Sequence, residues 1–87
     1  MGEVRQRIEQ KLRNAFQPDE LAVIDESAQH HGHAGWREGG ETHFRVQIRS
    51  AQFAGQSRLE RQRAVHRVLA EELAGPVHAL AISADAP

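Results

Sequence analysis

The chain has 87 residues, 39% of them hydrophobic and 26% charged, with a net charge of −1, which suits one hydrophobic core and leaves too little chain for a second. It contains no cysteine, so disulfide staples, thiolate nucleophiles and self-supplied thiolate ligands are excluded. No apolar run approaches the roughly 18 residues that span a bilayer, and Glu3 and Glu9 interrupt the basic N-terminus, so the expectation is a cytoplasmic protein with no membrane partner.

Residues 3–16 place Val4, Ile8, Leu12 and Ala15/Phe16 at helical spacing among Arg, Gln and Glu, which predicts a helix buried along one face. Pro18 ends it. Residues 21–24 predict a short strand running into Asp25, Glu26 and Ser27. Residues 28–41 are rich in His and Gly and far exceed the about 2–5 residues that join a hairpin, predicting a flexible loop. Residues 43–49 alternate polar with apolar and form the clearest strand in the chain.

Ser57 with Glu60 three residues on has the capping-box pattern. It predicts a helix through about Leu73, packed along Leu59, His66, Leu69 and Leu73. Gly75 and Pro76 stop it. Residues 77–84 predict a last strand, and residues 84–87 a loose tail. The order α-β-β-α-β predicts a single α+β domain over residues 1–87. Its three-stranded mixed sheet would carry the helices largely on one face, with a right-handed crossover before the last strand.

Three histidines, His30, His31 and His33, fall in the glycine-flanked loop. Neutral imidazole is a common ligand for zinc, iron, copper and nickel, and solvated loop histidines are the other reading. His78 follows Gly75-Pro76 where the last strand begins, so it projects from an ordered element, as a ligand or as a histidine bonded to the backbone. Arg58, Arg61, Arg63 and Arg67 crowd the second helix. The turn at residues 53–57 would aim N–H groups at a phosphate, so nucleic acid is one reading of that helix and a solvated face the other. Trp36 either folds over the sheet or waits for a partner.

Charge is unevenly spread, with six acidic groups against Arg37 in residues 17–41 and six arginines against Glu60 in residues 42–70. One reading of that separation is a dipolar molecule that steers an acidic partner toward one face, and two ordinary solvated surfaces are the other. There is no Ser-His-Asp grouping, catalytic carboxylate pair, P-loop or dinucleotide fingerprint, which points to binding rather than catalysis.

Taken together, Arg7-Ile8-Glu9-x-Lys11-Leu12, Asp25-Glu26-Ser27, Glu41-Thr42-His43-Phe44-Arg45-Val46, Phe53-x-Gly55, Arg61-x-Arg63-x-Val65, Leu69-Ala70-Glu71-Glu72-Leu73 and Val77-His78-Ala79-Leu80-Ala81-Ile82 closely resemble the BolA family. They span nearly the whole chain in order. The resemblance implies a KH-like (class II) α+β fold and a non-enzymatic iron–sulfur adaptor. Such an adaptor pairs with a monothiol glutaredoxin and shares a [2Fe-2S] cluster with it in cluster assembly, trafficking or iron sensing.

By the same resemblance the metal ligands from this chain would be His78 and one loop histidine, His33 first, His30 next and His31 last. A glutaredoxin cysteine and a glutathione thiol would complete the set. No cofactor is expected in the isolated chain, which is open to self-association as a homodimer. Some family members are described as DNA-binding transcriptional regulators, a role that would fall to Arg58, Arg61, Arg63 and Arg67. Two departures stand out: the family's common Arg-His-Arg reads Arg61-Gln62-Arg63, and Ala28 replaces a histidine frequent in close relatives.

Overall fold

A computed structural model of the chain describes residues 2–27 and 40–87. Helix α1 spans Glu3–Phe16, with Val4, Ile8, Leu12 and Phe16 buried as their spacing predicts. Gln17, in the left-handed conformation, closes it by donating its N–H to the Arg13 carbonyl. Strand β1 covers Glu20–Asp25, and β2 covers His43–Arg49. A 3-10 turn at Ala51–Phe53 leads to α2, Arg58–Val68, then α3, Ala70–Ala74, and β3, Ala79–Asp85.

The sheet order is β1-β2-β3, with β1 antiparallel and β3 parallel to β2. It is therefore the expected mixed sheet. In β2 the alternation is strict from Phe44 onward: Phe44, Val46 and Ile48 are buried, whereas Arg45, Gln47 and Arg49 are exposed. The register sets Val23 and Ile82 beside Val46, and Ala84 beside Ile48, so one face of the sheet supplies the core. Onto that face pack Ile8 and Leu12 of α1, Val65 of α2 and Leu69. Phe16 and Phe53 close one end with ring centroids 4.9 Å apart, and the buried Ser50 hydroxyl donates to the Phe16 carbonyl at 2.7 Å.

Three sequence expectations need correction. The single second helix is two, because Leu69 leaves helical geometry (φ −102°, ψ 20°) and α3 restarts at Ala70. The break accompanies a buried carboxylate: Glu72, 2% exposed, faces α1 and meets Lys11 Nζ at 2.9 Å and Arg7 Nε at 3.3 Å. That hydrogen bond raises the Lys11 pKa above its ordinary 10.5.

The packed face is also different. Leu59 is 56% exposed and His66 is exposed, whereas Val65 and Leu69 are buried. Six residues at about 100° each separate Leu59 from Val65, which turns it well away from the core. Finally, β3 begins at Ala79 and runs through Asp85, so Ala84, expected to open a tail, is a buried strand residue. No described helix is long and apolar enough to cross a membrane.

Candidate functional site

His78 leaves α3 through the Gly75-Pro76 stop and stands one residue before β3. Its backbone is fixed where the strand joins the sheet: the His78 N–H donates to the Thr42 carbonyl at 2.7 Å, and the Ala79 N–H shares that carbonyl at 3.2 Å. The side chain is exposed. Its ring lies 5.4 Å from that of His43, tilted by 53°. His43 is 5% exposed, and its Nδ1 sits 2.9 Å from Thr42 Oγ1. An exposed imidazole thus rests beside a buried one on a hydrogen-bonded floor.

The same floor roots the histidine loop. Asp25 accepts the Ser27 N–H at Oδ1 (2.9 Å) and the Glu41 N–H at Oδ2 (3.1 Å). Ser27 Oγ accepts the N–H groups of Thr42 (2.9 Å) and His43 (3.2 Å). The segment carrying His30, His31 and His33 therefore departs and returns within hydrogen-bonding distance of Thr42, the residue that holds His78. The three loop histidines and Trp36 themselves lie outside the described residues.

Among the described residues no group of three His, Asp or Glu side chains is placed to hold a metal ion. The donor chemistry nonetheless fits a shared cluster. The chain has an exposed imidazole at a strand end and no thiolate at all, so of its own it can offer nitrogen but no thiolate sulfur to such a cluster. His43 and Thr42 escaped the sequence reading as site residues. Their one local signal was the polar pair placed directly before the alternation of β2.

The arginine helix divides. Arg58, Arg63 and Arg67 are exposed, and among the described residues no ion pair involves them. Arg61 is half-buried and turns back to donate to the Gln56 carbonyl at 2.8 Å. By contrast Arg5, Arg7, Lys11 and Arg13 of α1 all meet carboxylates.

The phosphate cradle expected at the start of α2 is closed by the helix itself. Ser57 Oγ accepts the Glu60 N–H at 3.1 Å, and the Glu60 carboxylate accepts the Ser57 N–H at 2.7 Å. Those bonds hold the Glu60 carboxyl below its ordinary 4.5, placing a negative charge where an anion would bind. Gln62, the departure noted above, donates Nε2 to the Ile82 carbonyl at 2.9 Å and so ties α2 to β3.

A family model described as BolA-like protein matches residues 12–87. The chain is 51% identical to BolA-like protein 1 of Homo sapiens over 87 residues, covering 100% of this chain and 61% of that protein. It is 49% identical over 79 residues to the DNA-binding transcriptional regulator BolA of Escherichia coli, covering 91% and 71% respectively. Among solved structures it is similar to the BolA domain of SufE1 from Arabidopsis thaliana, with a TM-score of 0.90, 41% identity, and coverage of 100% of this chain and 95% of that one. It spans about three fifths of the length of the animal relatives it matches.

Proposed function

This chain belongs to the BolA-like protein family, and on that premise we propose that it is a non-enzymatic iron–sulfur adaptor, a cytoplasmic partner that binds a monothiol glutaredoxin and shares a [2Fe-2S] cluster with it. The observation that carries this reading is the position of His78. Its imidazole is exposed, and its backbone N–H is held by the Thr42 carbonyl beside the root of the segment that carries three more histidines. His78 would supply one iron ligand and a loop histidine, His33 before His30 or His31, a second. The glutaredoxin cysteine and a glutathione thiol would supply the sulfur this chain lacks. Preorganisation is the role of the floor, since a ligand whose backbone is already bonded loses little freedom when iron is added.

The test is the visible absorption spectrum of the protein co-expressed with a monothiol glutaredoxin, set beside each protein alone. The reading expects [2Fe-2S] bands of the pair that differ from those of glutaredoxin by itself. Identical spectra would count against it.

A second reading, a DNA-binding regulator, is favoured by the exposed Arg58, Arg63 and Arg67, which form no ion pair among the described residues, and by the name of the Escherichia coli relative. It draws no support from the start of α2, where Glu60 occupies the anion position.

A further inference from the structure

Glu41 is one of two non-glycine residues with positive φ among those described, at φ 63° directly after Gly40 at 74°. A side chain persists in this sparsely populated region only where its surroundings hold it. What holds Glu41 is the start of α1. Its Oε2 accepts the N–H groups of Val4 and Arg5, both at 3.0 Å. These are donors that every helix leaves orphaned, at the positive end of the helix dipole. Gly2, at the N-cap position, has no side chain to serve them. Helix α1 is therefore capped by a residue 37 positions away in sequence.

The backbone of Glu41 is held as firmly, since its N–H donates to Asp25 Oδ2 at 3.1 Å. Thr42, the next residue, presents the carbonyl that accepts the His78 N–H. A continuous path thus runs from the first turn of α1, through the Glu41 side chain and the Thr42 peptide, to His78. Without the carboxylate, nothing on α1 offsets the left-handed strain at residue 41. Relaxation there turns the Glu41–Thr42 peptide, whose N–H is held by Ser27 Oγ, and reaches the Thr42 carbonyl, in the next peptide along, through the backbone of Thr42.

We propose that Glu41 is a positioning residue, which caps α1 and thereby fixes the Thr42 carbonyl that aims His78. Its consequence for cluster binding rests on the adaptor reading above, but the link itself is a property of the isolated chain.

The experiment compares wild type, Glu41→Ala and Glu41→Gln as isolated, folded proteins, by amide hydrogen exchange and by the imidazole cross-peaks of their NMR spectra. In Glu41→Ala the Val4 and Arg5 amides should exchange about fivefold faster, the usual effect of losing a cap. The His78 ring signals should shift while those of His66, exposed on α2, stay in place. Glu41→Gln keeps an oxygen that can accept both N–H groups, so it should return the His78 signals toward wild type. If the alanine protein does not fold, Glu41→Asp decides, because its shorter side chain gives up the reach to both N–H groups: His78 signals shifted as the α1 amides lose protection would uphold the link. Unchanged His78 signals in a variant whose α1 amides have lost protection would overturn the proposal and reduce Glu41 to a cap.

The same variants in complex with a monothiol glutaredoxin separate the two readings. A wild-type pair without a cluster spectrum would sink the adaptor reading and leave the Glu41–His78 link intact. A cluster spectrum in Glu41→Ala identical to wild type would remove the functional consequence of the link.

Discussion

His43 and His78 belong to segments far apart in the chain, yet their rings stand 5.4 Å apart because β2 and β3 run parallel with His43 opposite Ala79. The pair is unequal: one ring is buried against Thr42 and the other is open to solvent. Replacing the buried member should cost stability. His43→Ala should lower the unfolding free energy by about 1–3 kcal/mol, through loss of its buried hydrogen bond at Thr42 Oγ1. Chemical denaturation measures it, and a loss under about 0.5 kcal/mol, typical of surface sites, would contradict the burial described.

Leu69, 1% exposed at the break between α2 and α3, packs into the core shared by α1 and the sheet. Leu69→Ala should destabilise the protein by about 2–5 kcal/mol. Leu59→Ala, on the outward face, should stay within about 0.5 kcal/mol. Equal losses from the two would mean that the packed face of α2 has been misassigned.

Much of this was legible locally. The alternation of β2 and the Ser57–Glu60 box are properties of a few neighbouring residues, and both appear in the structure where the sequence puts them. The face of α2 was less legible, because Leu59 is apolar but stands too far around the helix from Val65 to share its burial. The break at Leu69 accompanies Glu72 meeting Lys11 and Arg7 across the molecule, a long-range pairing that no window of sequence contains. Likewise His78 could be read as standing at a strand start. That Thr42 holds it, and that Glu41 caps α1, follows only from how the strands come together.

The capping box predicts a pH dependence with a definite sign. The Glu60 carboxyl titrates below its ordinary 4.5 because it accepts the Ser57 backbone N–H and pairs with the Ser57 side chain. A lowered folded-state pKa gives stability that is fully present above about 4.5 and lost as pH falls through the folded value. Thermal melts of wild type and Glu60→Gln from pH 6 to pH 3 should show a wild-type advantage that narrows below 4.5. A gap that stays constant across the range would show that the charge of Glu60 does not contribute.

Arg58, Arg63 and Arg67 predict weak, sequence-independent association with duplex DNA, driven by release of counterions. Three phosphate contacts correspond to a log–log salt slope of about −2.7. Replacing all three by alanine should bring the slope near zero. Tight, sequence-selective binding that survives physiological salt would instead place the regulator reading above the adaptor reading.

The adaptor account stands most directly on the ligands it assigns. The decisive measurement is visible circular dichroism of the cluster-loaded complex with a monothiol glutaredoxin, for wild type, His78→Ala, His33→Ala and the variant lacking His30, His31 and His33 together. The account predicts loss of the mixed-cluster signal in His78→Ala, an equal loss in the triple variant, and only weakening in His33→Ala because a neighbouring histidine can substitute. A wild-type spectrum in both His78→Ala and the triple variant would contradict it, because the cluster would then be held without these histidines.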